Sequence, residues 1–247
     1  MLAPATASIG IMTWLLRIFF SGLLAVSLPG ATVTGRVTLR DLRERARRSL
    51  SDYSGVVVWL VRPGSAPQLS TQRMKMLQRD KTFEPHVLAI TVGTTVDFPN
   101  LDPIFHNAFS VYDGQLFDIG LYPPGKSRSI RFIRPGFVRV FCNIHSTMSA
   151  IIAVMDTPFF AVTREDGRFE IPGVPEGAFE LEVFHERATE ATLTSLRRMV
   201  NVQQERVELP DTVIPETGFL AIPHKNKYGR DYTPPPDDSS VYPAARQ

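Results

Sequence analysis

Residues 138–148 read Val138-Arg-Val-Phe-Cys-Asn-Ile-His-Ser-Thr-Met148. Successive side chains of a strand point to opposite faces, so Val138, Val140 and Cys142 share one face, and their apolar character makes it the inner one. The strand predicted over Phe137 to Cys142 therefore ends with its cysteine turned inward. His145 follows three residues later and Met148 three after that. A thiolate, an imidazole and a thioether in one short turn are the soft and borderline ligands that type 1 copper takes, once a second histidine is added. His106 is the upstream candidate for that histidine.

Outward from this stretch the pattern is all-β. Pro135-Gly136 turns the chain before it, and Ser149 to Met155 is an apolar strand after it, so the Cys-to-Met segment joins adjacent strands at one end of a sandwich. Upstream, Leu88, Ile90 and Val92 alternate, Gly93-Thr-Thr turns, and Val96 and Phe98 alternate again. A loop, Pro99-Asn-Leu-Asp-Pro103, then leads to Ile104-Phe-His-Asn107, and Ile130 and Phe132 form an inward pair in a further strand. Beyond Asp156 the segment Arg164 to Gly177 carries two hairpin signals, Phe179, Leu181 and Val183 alternate, and strands at Met199 to Val202 and Arg206 to Leu209 complete a second, smaller β unit. Twenty Pro and 16 Gly between short Val/Ile/Phe runs agree with frequent turns.

The N-terminal third is less decided. Thr32 to Leu39 and Val56 to Val61 read as strands, with a short arginine-rich surface helix between them over Arg40 to Leu50. Either both strands serve the second unit, with the copper-loop unit inserted between, or Val56 to Val61 opens the copper-loop unit. The second arrangement is the expectation, because that sheet otherwise lacks a first strand. The division is then 1–31, a signal peptide or N-terminal anchor; 32–55, a strand and short helix; 56–156, the copper-loop unit; 157–215, the second β unit; and 216–247, an extended or disordered tail without periodicity.

A net charge of +2 over 247 residues says little about partners, and no basic block interleaved with aromatics suggests nucleic acid. Ile18 to Leu28 is an apolar run after Arg17 and before small residues, the pattern of a secretory signal cleaved near Ala31, or of an uncleaved anchor that would give membrane association. Either places the protein in the periplasm or another extracytoplasmic space. In such a space a single cysteine has no internal disulfide partner, and ligating a metal is one reason to keep it.

The runs Phe83-Glu-Pro85, Val92-Gly-Thr-Thr-Val-Asp-Phe-Pro-Asn-Leu-Asp102, His106-Asn107 and Cys142-Asn-Ile-His-Ser-Thr-Met148 resemble the cupredoxin family of plastocyanins, pseudoazurins and amicyanins. The short Cys-x-x-His-x-x-Met loop is most similar to that of amicyanin. Thr163-Arg-Glu-Asp-Gly-Arg-Phe-Glu-Ile-Pro-Gly-Val-Pro-Glu-Gly177 resembles the carboxypeptidase regulatory-like, prealbumin-type sandwich. The whole is similar to bacterial plastocyanin-like or methylamine-utilisation proteins. The resemblance implies a Greek-key cupredoxin β-sandwich followed by a smaller prealbumin-like one. It also implies a type 1 copper held by His106, Cys142, His145 and Met148, with Asn107 bracing the loop near the cysteine sulfur.

Singly, each of these residues has a plainer reading: Cys142 as a small buried hydrophobe, Met148 as core filler, the histidines as hydrogen-bonded structural groups. The conjunction favours metal. Zinc could use the cysteine and histidines, but a methionine suits it poorly. Five histidines in all are too few for a multicopper oxidase cluster, and His86, His185 and His224 stand in no ligand motif. No Ser/His/Asp or paired-carboxylate spacing stands out, so no enzyme is expected. The expected function is one-electron transfer to a transient redox protein partner; the alternative is a copper storage, sensing or delivery module, or an envelope interaction protein.

Overall fold

The computed structural model describes residues 30–41, 52–111, 114–216 and 225–232. The expected signal or anchor, nearly all of the arginine-rich segment and His224 lie outside the described residues. Among the described residues no helix is long and apolar enough to cross a membrane. Among the described residues one six-residue helix, Glu190–Ser195, interrupts an architecture otherwise built from strands and their connections.

Two sandwiches share the chain, and one is inserted into the other. The inner sandwich packs a sheet ordered Ser127–Arg131, Thr95–Pro99, Arg73–Lys75 against one ordered Val87–Thr91, Ser149–Met155, Gly136–Phe141, Phe109–Ser110, Phe117–Asp118. The outer sandwich has Ala31–Asp41 paired with Arg168–Val174, Arg206–Glu208 and Thr212–Glu216. Its second sheet runs Phe160–Val162, Val57–Val61, Gly177–Phe184, Arg198–Val202.

The division expected at residue 56 is therefore corrected. Val57–Val61 pairs antiparallel with Phe160–Val162 on one side and Gly177–Phe184 on the other, so it is an outer-sandwich strand. Ala31–Asp41 belongs there too, and the second unit surrounds the first instead of following it. The two ends of the insertion leave from neighbouring strands, which lets an inserted unit close on itself without disturbing its host. The apolar run Val56 to Val61 has a different cause from the one expected. Val58 and Leu60 enter the outer core, while Val57 and Trp59 face a third cluster between the sandwiches, with Ala153, Met155, Phe137 and Phe184. A strand buried on both faces reads as a continuous apolar run whichever sheet it hydrogen-bonds to.

Ser149–Met155 is the matching strand on the other side. Ala150, Ile152 and Val154 fill the inner core, whereas Ala153 and Met155 meet Val57. Phe137 stacks on Phe184 with ring centroids 3.7 Å apart and lies 5.7 Å from Trp59. The strand Gly136–Phe141 that leads into Cys142 is thus packed on both sides: Val138 and Val140 inward, Phe137 against the outer sandwich. That fixes the height and direction from which the cysteine is presented.

A polar joint closes the same seam. His86, just before Val87–Thr91, puts Nδ1 3.1 Å from the Ser149 carbonyl and Nε2 2.9 Å from Glu186 Oε1 of the outer sandwich. Both ring nitrogens face acceptors, so the imidazolium satisfies the site better than either neutral tautomer, and the Glu186 hydrogen bond raises the His86 pKa above its ordinary 6.5. A histidine with a raised folded pKa contributes stability that is full below the unfolded value and is lost as pH rises through the folded one. Neighbouring His185 does the reverse: burial, with Arg187 adding, depresses it to about 4, so its contribution is full above 6.5 and fades as pH falls. We expect His86→Gln to remove a stability loss of about 0.2–1 kcal/mol on going from pH 6 to pH 8.5, the scale of a half-exposed pair. Urea unfolding at the two pH values measures it, and an unchanged pH dependence would refute the assignment.

Candidate metal centre

Cys142 directly follows the Gly136–Phe141 strand, one residue short of the predicted strand end, with its side chain fully buried, and the chain folds back at once. The Cys142 N–H donates to the Met148 carbonyl (3.2 Å) and the Met148 N–H to the His145 carbonyl (3.1 Å). The seven residues Cys142 to Met148 are thus closed into a tight turn that returns into Ser149–Met155. His106 comes from the other side, on a segment held by reciprocal backbone bonds with Tyr122, N–H to carbonyl at 3.1 and 2.9 Å.

These two pieces bring together His106, Cys142 and His145. One ligand atom from each lies within 4.8 Å of the others. The Cys142 Sγ is 3.8 Å from His106 Nδ1 and 3.6 Å from His145 Nδ1. Metal–sulfur and metal–nitrogen bonds of roughly 2.3 and 2.0–2.1 Å, opened by a tetrahedral to trigonal angle, would place sulfur and nitrogen about 3.5–3.8 Å apart. The donor set therefore fits a first-row transition metal. The imidazole rings sit 4.8 Å apart and are tilted by 59°, so neither blocks the other's nitrogen. Met148 is fully buried in the inner core beside Cys142, on the loop where the sequence places it.

Electrostatics hold the cysteine and the His106 ring in their neutral forms. Burial pushes the Cys142 thiol up, and the backbone N–H groups of Ile144, Asn107 and His145 around the sulfur work against that rise. Desolvation holds His106 below its ordinary value, so its ring is neutral and has a lone pair to offer.

Which nitrogen carries that lone pair is decided by a residue the sequence reading quoted but assigned no role. Asp102 Oδ2 accepts from His106 Nε2 at 2.7 Å, which leaves Nδ1 bare toward the sulfur. The same carboxylate accepts the backbone N–H groups of Asp80 (2.7 Å) and Lys81 (3.0 Å). Burial opposes its charge, but the Lys81 N–H, the His106 ring and the Asp80 N–H outweigh burial and keep Asp102 below the usual carboxylate range. Asp80 and Lys81 both have positive φ, 51° and 56°, in the two-residue turn between Leu77–Arg79 and Thr82–Glu84. Such a turn ordinarily takes Asn-Gly, and here the carboxylate offsets the conformational cost. The Asp102-x-x-x-His106 spacing was the signal available in the sequence.

Asn107 is close to its expected place: its N–H faces the Cys142 sulfur, while its side-chain Nδ2 donates to Asp118 Oδ1 at 2.7 Å. Its carbonyl accepts from buried Gln78 (3.3 Å), which in turn accepts from the Tyr122 hydroxyl (2.8 Å). Neither Gln78 nor Tyr122 was singled out by sequence. His145 alone of the three ligand residues is half-buried. Leu101 and Phe105 on the loop before His106, and Ile144 beside His145, are exposed by 48, 38 and 39%. Pro103, Ser146 and Thr147 are exposed too.

Part of the expected extended or disordered tail over 216–247 is corrected: Glu216 ends the Thr212–Glu216 strand with its side chain buried, and residues 225–232 lie against the Cys142 loop, while 217–224 and 233–247 lie outside the described residues.

No family model matches the chain, and no curated protein does. Among solved structures it is similar to a purple cupredoxin from Nitrosopumilus maritimus, at 23% identity and TM-score 0.32 over 33% of this chain and 99% of that one. It is similar to a reduced amicyanin mutant at 18% identity and TM-score 0.33, over 42% of this chain and all of that one. A Cu-containing nitrite reductase (NirK) from Thermus scotoductus SA-01 matches at 30% identity and TM-score 0.33, over 39% of this chain but only 25% of the reductase.

Proposed function

We propose that this chain is an exported copper protein of type 1 character that carries single electrons and performs no catalysis of its own. The observation that carries the reading is the convergence of His106 Nδ1, Cys142 Sγ and His145 Nδ1, with the His106 tautomer set by Asp102. His106, Cys142 and His145 would hold the copper, with Met148 as a fourth, weaker thioether donor. A copper so bound supplies one-electron redox chemistry. The protein's part is to hold the donors where they are needed before any metal arrives: Asp102 orients one ring, the closed Cys142–Met148 turn places the other, and the buried sulfur is kept from water.

Exchange with a partner would take place at the half-buried His145, with exposed apolar Ile144 next to it and exposed Leu101 and Phe105 on the His106 loop as the proposed apolar rim. A small apolar rim suits a redox protein that must leave quickly. The apolar run at Ile18 to Leu28 and the single cysteine support an extracytoplasmic site of action, in the periplasm or attached to a membrane facing it.

Titrating the purified protein with Cu(II) tests this. We expect an intense thiolate-to-copper visible band saturating at one copper per chain, bleached by a mild reductant and restored on reoxidation with the copper retained through gel filtration. Absence of the band sinks the type 1 assignment. Loss of copper on each reduction would instead identify a delivery or storage module, which needs a metal that leaves.

A further inference from the structure

Residues 225–232 form a small self-braced loop. Asn226 N–H donates to the Arg230 carbonyl (2.8 Å), Gly229 N–H to the Asn226 carbonyl (2.9 Å), and the Asn226 Oδ1 accepts the N–H groups of Tyr228 and Arg230. Lys225 closes the loop on Asp231 at 2.6 Å. What this loop touches is the back of the metal centre. The Lys227 N–H donates to Asn143 Oδ1 (2.9 Å), Lys227 Nζ pairs with Asp118 Oδ2 (2.8 Å), and the Tyr232 hydroxyl donates to the Cys142 carbonyl (2.6 Å).

Each tie lands one bond system away from a ligand atom. The Cys142 carbonyl lies past the last ladder pair of its strand, Phe141 with Ser149, and Tyr232 supplies its donor. Asn143 is the first residue of the ligand turn. Asp118 uses its other oxygen to hold Asn107 Nδ2 (2.7 Å) and the Gly120 N–H (2.8 Å), and Asn107 presents its own N–H to the Cys142 sulfur. A phenol, an ammonium and a backbone N–H from one segment thus reach both halves of the site, the cysteine turn and the Asn107 bracket.

We propose that residues 225–232 are a strap over the metal centre, with Tyr232 and Lys227 as positioning residues that hold the Cys142 turn closed and set the hydrogen bonding of its sulfur. The proposal rests on the metal-site reading for its purpose but not for its geometry. Segments of low periodicity are ordered by what they dock on, and here the docked surface is the turn that carries the thiol. With the strap in place, the cysteine turn opens rarely. Without it, the turn opens locally while both sandwich cores stay intact.

The test uses the full chain without copper and then with it. In the metal-free protein, alkylation of Cys142 by a small iodoacetamide-type reagent reports opening of the turn. Two hydrogen bonds of ordinary strength predict a rate rise of roughly five- to fiftyfold for Tyr232→Phe combined with Lys227→Met. Lys227→Arg alone should stay near the wild-type rate, because it keeps both the N–H and the cation. The global unfolding midpoint should move little. An unchanged alkylation rate in the double variant overturns the proposal, as does a rise fully matched by loss of global stability. In the copper-loaded protein the double variant should shift the visible band and the reduction potential. A wild type that shows no band at all refutes the copper reading, while the alkylation result still decides the strap.

Discussion

Cys142→Ser should abolish the visible thiolate-to-copper band that the proposed site predicts, and should lower copper affinity by more than the roughly 10–100-fold that loss of a ligand's hydrogen-bond partner costs. The reason lies in what else is available. Cys142 is the one cysteine in the sequence, and the two rings that flank it at 3.6 and 3.8 Å supply only nitrogen. A serine hydroxyl is a hard donor that stays protonated at neutral pH, so the anionic, polarisable corner of the site disappears. The fold should survive. Oxygen replaces sulfur at a fully buried position, but the N–H groups of Asn107, Ile144 and His145 already point there and can satisfy a hydroxyl. Copper titration followed by absorption, with circular dichroism of the metal-free variant alongside, separates the two effects. A retained band would mean that copper binds elsewhere.

The cysteine turn was legible because its information is local. A strand period of two set the direction of Cys142, and His145 and Met148 follow within six residues, too near for the chain to carry them elsewhere. His106 is remote, yet it was the upstream histidine beside an asparagine, and the structure brings it to the sulfur. The strand Val57–Val61 was misplaced for the opposite reason. Its apolar run reports that both faces are covered, and carries no record of which neighbours share its hydrogen bonds. Pairing is a property of two strands far apart in sequence, and Trp59 gives no sign that it will face Phe137 across a seam between sandwiches.

The supporting groups were harder to see. Asp80-Lys81 lacks the Asn-Gly signature of the turn it makes, because the force that holds it there is a carboxylate 21 and 22 residues later. Lys227 and Tyr232 sit in a stretch without periodicity, and their docking on the site runs through Asp118, Asn143 and Cys142. In each case the missing information is a tertiary hydrogen bond, which has no period to leave in the sequence.

Asp102→Ala should weaken copper binding about 10–100-fold and destabilise the metal-free protein by roughly 2–4 kcal/mol. Both effects have one origin, since the carboxylate gathers three donors at once: the Nε2–H of fully buried His106 and the N–H groups of Asp80 and Lys81. Removing it leaves the imidazole free to move its proton to Nδ1, the nitrogen that faces the sulfur, and a protonated Nδ1 cannot be a ligand. It also withdraws the acceptor that stabilises two non-glycine residues at positive φ. Asp102→Asn separates the two roles. Its carbonyl oxygen can still accept one donor, but its amide NH2 faces donors, so it should retain part of the stability and little of the tautomer control. The pH dependence has a fixed sign. A carboxylate with a lowered folded pKa stabilises above its unfolded value near 3.8, and that contribution is lost as pH falls through the folded pKa. Wild type should therefore lose stability in acid more steeply than Asp102→Ala. Copper affinity of the alanine variant equal to wild type would show that His106 is oriented by its backbone alone, and would remove Asp102 from the site.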